Sequence, residues 1–298
     1  MPKSMRDYAY RLLNVFAEAT FGGNPLCVFE DGRGLSDAEM QALARQFNLS
    51  ETVFLLPSDQ ADRHMRIFTP GTEMAFAGHP SVGSAAVVSE LLRTGSQLSL
   101  SCRAGIVPLQ RNEAVWSFVA PKAAQVTPCS LSVTELAPIL GLQPEDIVAE
   151  PLWVNTGSDQ LLIAVHSATA LQQAGFRAEL LAHWPRSSLG RRTVFVFYID
   201  QKLGGRVQAQ DVTQTVIQAR YFFKCADGGI GEDPATGSAC ANLGAWLRHQ
   251  KIMSQQQFRI EQGVQMGRPS VLYLDISGQE KIQVGGKVIE IGRGRIQI

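Results

Sequence analysis

The chain has 298 residues, of which 45% are hydrophobic and 18% charged, with 27 basic side chains balanced by 27 acidic ones. That length suits two domains of about 150 residues each, and the balanced charge gives no electrostatic reason to expect nucleic acid or an anionic membrane as partner. No run approaches the ~18 apolar residues of a membrane span and the first residues lack the apolar stretch of a signal peptide, so a soluble, cytoplasmic protein is expected.

In chain order, Tyr8 to Phe16 reads as a strand, and Phe21-Gly22-Gly23-Asn24-Pro25 as a turn before the apolar strand Leu26 to Phe29. Ser36-Asp37-Ala38-Glu39 is a capping box that opens a helix to about Phe47, with Leu35 and Met40 as a hydrophobic staple. Strands follow at Glu51 to Leu56 and His64 to Thr69. A helix runs from Pro80 to about Leu92, and strands continue to Val119. Pro121 to Pro128 shows no period and reads as a linker. Ser132 to Glu135 is a second capping box, strands are expected at Gln160 to Val165, Thr193 to Ile199 and Gln218 to Phe223, and a long helix is expected from Pro234 to about His249. The pattern is α+β with more strand than helix.

An internal repeat stands out. H-P-S-V-G-S-A-A at 79 to 86 matches D-P-A-T-G-S-A-C at 233 to 240, and at the same offset of 154 R-I-F at 66 to 68 matches R-Y-F at 220 to 222. A repeat near half the chain length implies two similar domains related by pseudo-twofold symmetry. The expected boundaries are 1–120, completed by a last strand at about 287–298, and 121–286.

His79 and Asp233 fall at expected N-cap positions, with Pro80 and Pro234 as the first helical residues. Helix starts carry unpaired N–H groups and the positive end of the macrodipole, which favours an anion. Two such starts facing one cleft would hold a carboxylate, and matched His and Asp there would form an acid/base or substrate-orienting pair. Each alone reads as an ordinary structural residue; the repeat is what makes them candidates. The five cysteines are scattered without a C-x-x-C pair, and together with the five histidines they show no ligand spacing, so no metal is expected. The G-G-I-G at 228 to 231 lacks the strand-turn-helix context of a nucleotide site. No cofactor is expected.

F-x-G-N-P-L-C-V-F at 21 to 29, S-E-T-V-F at 50 to 54, F-A-G-H-P-S-V-G-S-A at 76 to 85 and G-x-G-E-D-P-A-T-G-S-A at 229 to 239 together resemble the phenazine-biosynthesis PhzF-like family, which has the diaminopimelate-epimerase-like fold. The motifs span both halves in order. The resemblance implies two similar domains, each a curved, mostly antiparallel sheet or barrel around a central helix. It implies Glu51 as general acid/base, with His79 and Asp233 in the catalytic set. It also implies substrate contacts from Ser238, Gly78, Gly237 and Asn24, and a homodimer. By the residues alone Glu51 reads as a solvent-facing strand start, although alternation sets it on the face of Val53 and Leu55. There desolvation would raise its pKa toward values suited to proton transfer.

The related epimerases use a pair of cysteines. Here the second slot is Thr236 and the first is Ala77 or Val82, so two-thiol racemisation is disfavoured. The resulting expectation is a cofactor-free isomerase that moves a proton within a small unsaturated or amino-bearing carboxylic acid. An epimerase using Glu51 with another acid, and a non-catalytic binding or scaffold protein, are the alternatives.

Overall fold

The computed structural model describes residues 5–199, 215–225, 228–252, 257–277 and 281–298. They form two compact units, residues 1–119 with 285–298 and residues 120–284. The first holds β1 (Asp7–Val15), β2 (Asn24–Phe29), α1 (Asp37–Phe47), β3 (Glu51–Leu56), β4 (Arg63–Phe68), β5 (Glu73–Met74), α2 (Gly78–Leu92), β6 (Gln97–Cys102), β7 (Gly105–Asn112) and β8 (Val115–Val119). The second holds β9 (Gln125–Pro128), α3 (Val133–Ile139), β10 (Leu152–Asn155), β11 (Asp159–Ala164), α4 (Ala168–Gln173), β12 (Thr193–Ile199), β13 (Thr215–Lys224), β14 (Ile230–Asp233), α5 (Gly237–His249), β15 (Gln257–Gln262) and β16 (Ser270–Asp275). The last strand, β17 (Gln283–Gln297), leaves the second unit and runs into the first.

In the first unit β17 pairs with both β1 and β8, which closes the sheet into a barrel. Its pairs are antiparallel except β2 with β3 and β4 with β6. The helix α2 lies inside this wrap. Its first eight residues, Gly78 to Ala85, are all buried, which requires small side chains where the strands press closest. Gly83 is the tightest point: a Cβ there would stand 2.8 Å from Val15 Cγ2 and closer still to Leu26. Gly83→Ala gains about 1 kcal/mol of helix propensity, but the added methyl overpacks the core at a cost of about 1–3 kcal/mol. A net loss is expected, read as a lower urea midpoint.

Alternation on β3 sorts the two faces. Phe54 belongs to the aromatic cluster under α1, stacked on Phe29 with ring centroids 4.7 Å apart, while Val53, Leu55 and Glu51 take the opposite face toward α2.

The second unit repeats this plan. β11 and β12 are parallel as β2 and β3 are, and β13 pairs antiparallel with β12 and parallel with β15 as β4 does with β3 and β6. Arg66 lies over the Phe68 ring in one unit and Arg220 over Phe222 in the other, and each arginine also pairs with a glutamate, Glu73 and Glu232 respectively. The correspondence is therefore 154 residues at Phe68 and Phe222 but 159 at Glu73 and Glu232, their strand partners. The β13–β14 hairpin is five residues longer between its paired residues than the β4–β5 hairpin, and everything after it shifts.

This shift corrects the reading of the helix starts. The N-cap of α2 is Ala77, so Pro80 is the third helical residue, still within the first turn whose N–H groups have no intrahelical partner. The N-cap of α5 is Thr236, and Asp233-Pro234 lies outside the helix. Proline disfavours the helical region for the residue before it, and Asp233 accordingly stays extended as the last residue of β14, paired with Tyr221. Neither His79 nor Asp233 is an N-cap. Structurally, Gly78-His79 matches Gly237-Ser238, Met74 matches Asp233, and the slot opposite Thr236 is Ala77 rather than Val82. The stretch read as a linker also contains a strand, because Gln125 to Pro128 pairs with β10.

Candidate active site

Three helices are closed by serine side chains, Ser36 on α1, Ser132 on α3 and Ser167 on α4. The caps of α2 and α5 make no side-chain hydrogen bond. Of the helices longer than ten residues, these two alone among the described residues present a start without a side-chain cap, and both open on glycine. Gly78 and Gly237 thus let an anion approach the first-turn N–H groups without a Cβ in the way.

In the first unit, β3 delivers Glu51 and α2 delivers His79 to the same place. His79 Nε2 lies 3.3 Å from Glu51 Oε2, with the histidine 5% exposed. Burial pushes the imidazole down to about 3, and its hydrogen bond to the Pro25 carbonyl only partly opposes this. The ring is therefore neutral at pH 7, and the contact with Glu51 is not an ion pair. Because Nε2 makes no hydrogen bond, its contact with Glu51 Oε2 included, Nδ1–H is the donor to Pro25, and Nε2 keeps its lone pair on the Glu51 side. A carboxyl group and a neutral imidazole so placed can share one proton. Asn24, fully buried at the start of β2, precedes the proline whose carbonyl holds the ring.

In the second unit, Asp233 accepts the Thr236 hydroxyl at 2.5 Å. Ser238, the second residue of α5, accepts from Gln160 Nε2 at 3.1 Å. Gln160 is in turn held by Asn242, whose Nδ2 donates to Gln160 Oε1 and to the carbonyls of Val154 (2.7 Å) and Ser158 (2.8 Å). Asn242 Oδ1 accepts from the backbone N–H and the hydroxyl of Thr156, at 2.9 and 2.7 Å. Asn242→Leu strands these buried groups, each worth about 1–3 kcal/mol, so denaturation should show a loss of about 3 kcal/mol or more. Tyr221 is buried beside this network, and burial, reinforced by the charge of Asp233, pushes its phenol up.

Glu51, His79, Gly78 and Asn24 thus gather in the first unit; Asp233, Gly237 and Ser238 belong to the second. Cys240 is packed inside α5, and burial pushes its thiol up, which makes it a poor proton carrier. Sequence reasoning missed Gln160, Asn242 and Gln262. The available signal was a polar residue inside the otherwise apolar run Leu161 to Val165 and its strand start, and an asparagine four residues after Ser238 on a helix of small apolar residues.

A family model described as "Phenazine biosynthesis-like protein" matches residues 13–294. An uncharacterized isomerase of Pasteurella multocida is 39% identical over 98% of this chain and 95% of its own. A trans-2,3-dihydro-3-hydroxyanthranilate isomerase of Pseudomonas chlororaphis is 32% identical, covering 96% of this chain and 98% of its own. The crystal structure of a PhzF-family phenazine biosynthesis protein from Bacillus anthracis superposes with a TM-score of 0.81 at 23% identity, over 98% of this chain and all of that one. The architecture, α+β with two similar units and few helices, is the diaminopimelate-epimerase-like one. No described helix is long and apolar enough to cross a membrane.

Proposed function

The chain belongs to the phenazine biosynthesis-like family and is an isomerase, and we propose that it moves a proton within a small unsaturated or amino-bearing carboxylic acid, using Glu51 as the acid/base. The observation that carries this is the Glu51–His79 contact, a carboxyl group 3.3 Å from a buried, neutral imidazole. His79 accepts from the protonated carboxyl group and so steadies the state of Glu51 between taking a proton and returning it. In the first unit the uncapped start at Gly78 stabilises negative charge as it develops beside Glu51, and in the second Gly237 and Ser238 are substrate-binding residues in this reading. Asp233 accepts a hydrogen bond from the substrate, and Asn24 fixes the turn that holds His79. The chemistry needs no group beyond these side chains.

trans-2,3-Dihydro-3-hydroxyanthranilate, the acid named for the Pseudomonas chlororaphis relative, is the first compound to test. Turnover by the wild type and none by Glu51→Gln supports the reading; equal turnover by both removes Glu51 from it. An epimerase is the second reading, since the fold is shared with epimerases, but Ala77 and Thr236 supply no thiol pair. We also propose a homodimer, on the resemblance to the family, and expect light scattering to give about twice the 32.5 kDa chain mass.

A further inference from the structure

Gln262 closes β15 and is 1% exposed. Its carboxamide lies against the segment that carries Asp233 to the start of α5. Oε1 accepts the backbone N–H of Thr236 at 3.1 Å. A peptide N–H can only donate, so this bond determines which end of the carboxamide is oxygen. Nε2 then spends its two protons on the Asp233 carbonyl, at 2.7 Å, and on Thr236 Oγ1, at 3.0 Å. The Thr236 hydroxyl, already accepting from Gln262, has its own proton left for Asp233 Oδ2 at 2.5 Å. The turn after Gln262 is pressed onto the same segment. Gly263 has φ +79°, and a Cβ on it would stand 2.6 Å from the Pro234 carbonyl oxygen, so only glycine lets Gln262 come this close.

We propose that Gln262 is a positioning residue: it sets the polarity of the Thr236 hydroxyl and, through it, holds Asp233 as a hydrogen-bond acceptor for the substrate. This rests on the reading of Asp233 as a functional residue. A donor aimed at a carboxylate favours its ionised form, so the relay keeps Asp233 out of proton carriage and leaves that to Glu51. The ionisable groups on the surrounding elements include Tyr221 on β13, whose phenol feels the charge of Asp233, Glu232 on β14 (paired with Arg220), Glu261 on β15 and Arg268 in the loop after Gly263.

The test is a carboxyl-carbon NMR titration of Asp233 in the full-length, substrate-free protein, wild type against Gln262→Met, Thr236→Val and the double variant. Either single change should raise the Asp233 midpoint by about one pH unit. The double variant should show no further rise, because Gln262 acts through the hydroxyl, and Thr236→Ser should restore the wild-type value. An Asp233 midpoint unmoved by Gln262→Met, or additive shifts in the double variant, would overturn the proposal. If Gln262→Met does not fold, Gln262→Glu keeps the bond from the Thr236 N–H but replaces the donor with an acceptor. The rise that Gln262→Glu causes should be smaller on a Thr236→Val background than on the wild type; a rise of the same size on both backgrounds overturns the proposal. Asp233→Asn separates the two readings. Full turnover in that variant defeats the role of Asp233 in catalysis while leaving the titration result standing.

Discussion

Glu51→Gln lowers kcat by about 10²- to 10⁴-fold, the range that a positioned acid/base contributes, while the urea midpoint stays near that of the wild type. The substitution keeps the size of the side chain and its place at the start of β3. It also keeps a group able to hydrogen-bond His79 Nε2, because the amide N–H₂ donates where the protonated carboxyl did. What it removes is the capacity to take a proton from carbon and return it. KM should change little, since in this account Glu51 carries the proton and does not hold the substrate carboxylate. A kcat within threefold of wild type would show that the proton travels by another group. Glu51→Asp, which withdraws the carboxyl group by one methylene, should fall between the two, because a shift of about 1 Å can cost about 100-fold in a positioned reaction.

The buried imidazole makes stability depend on pH, and the sign follows from its direction. His79 in the folded chain sits at about 3, against about 6.5 for an unperturbed histidine. Between these values the unfolded chain binds a proton that the folded chain refuses. Stability is therefore highest above pH 6.5 and falls as the pH drops toward 3, with a slope of up to about 1.4 kcal/mol per unit from this one group and a total of a few kcal/mol. His79→Asn can keep a donor toward the Pro25 carbonyl while removing the titration. The unfolding free energies of wild type and variant, measured in urea from pH 4 to 8, should diverge in slope by up to one proton below pH 6.5 and run parallel above it. Parallel curves over the whole range would mean that His79 takes up its proton in the folded state and is not the neutral partner of Glu51.

What the amino-acid pattern discloses here is mostly what neighbours in the chain decide. The Ser36–Glu39 capping box predicts α1 because both of its hydrogen bonds form within four residues. β3 and β12 follow from apolar runs bounded by polar residues, and alternation alone sets Glu51 on the face it occupies against α2. The motif order carries the α+β fold class, which the family structures share.

The helix starts misled because the repeat P-x-x-G-S-A aligns sequences that the longer β13–β14 hairpin has moved out of structural register by five residues. A proline reads the same whether it sits in the first turn, as Pro80 does, or three residues before the first helical residue, as Pro234 does. Gln160, Asn242 and Gln262 were invisible for another reason. A carboxamide is an unremarkable residue in a sequence. Its significance here comes from partners such as Thr156 and Val154 on one side and Asp233 and Thr236 on the other, which are 26 to 88 residues away.

The central claim is that one proton moves between carbons under the control of Glu51, and the most direct test is product NMR after turnover of a small carboxylic acid substrate in D₂O. The account predicts deuterium at a carbon that bore none of the original proton, with the double bonds displaced, and no such product from Glu51→Gln. Deuterium at the original carbon with inversion of that centre, or undiminished exchange by Glu51→Gln, would contradict it.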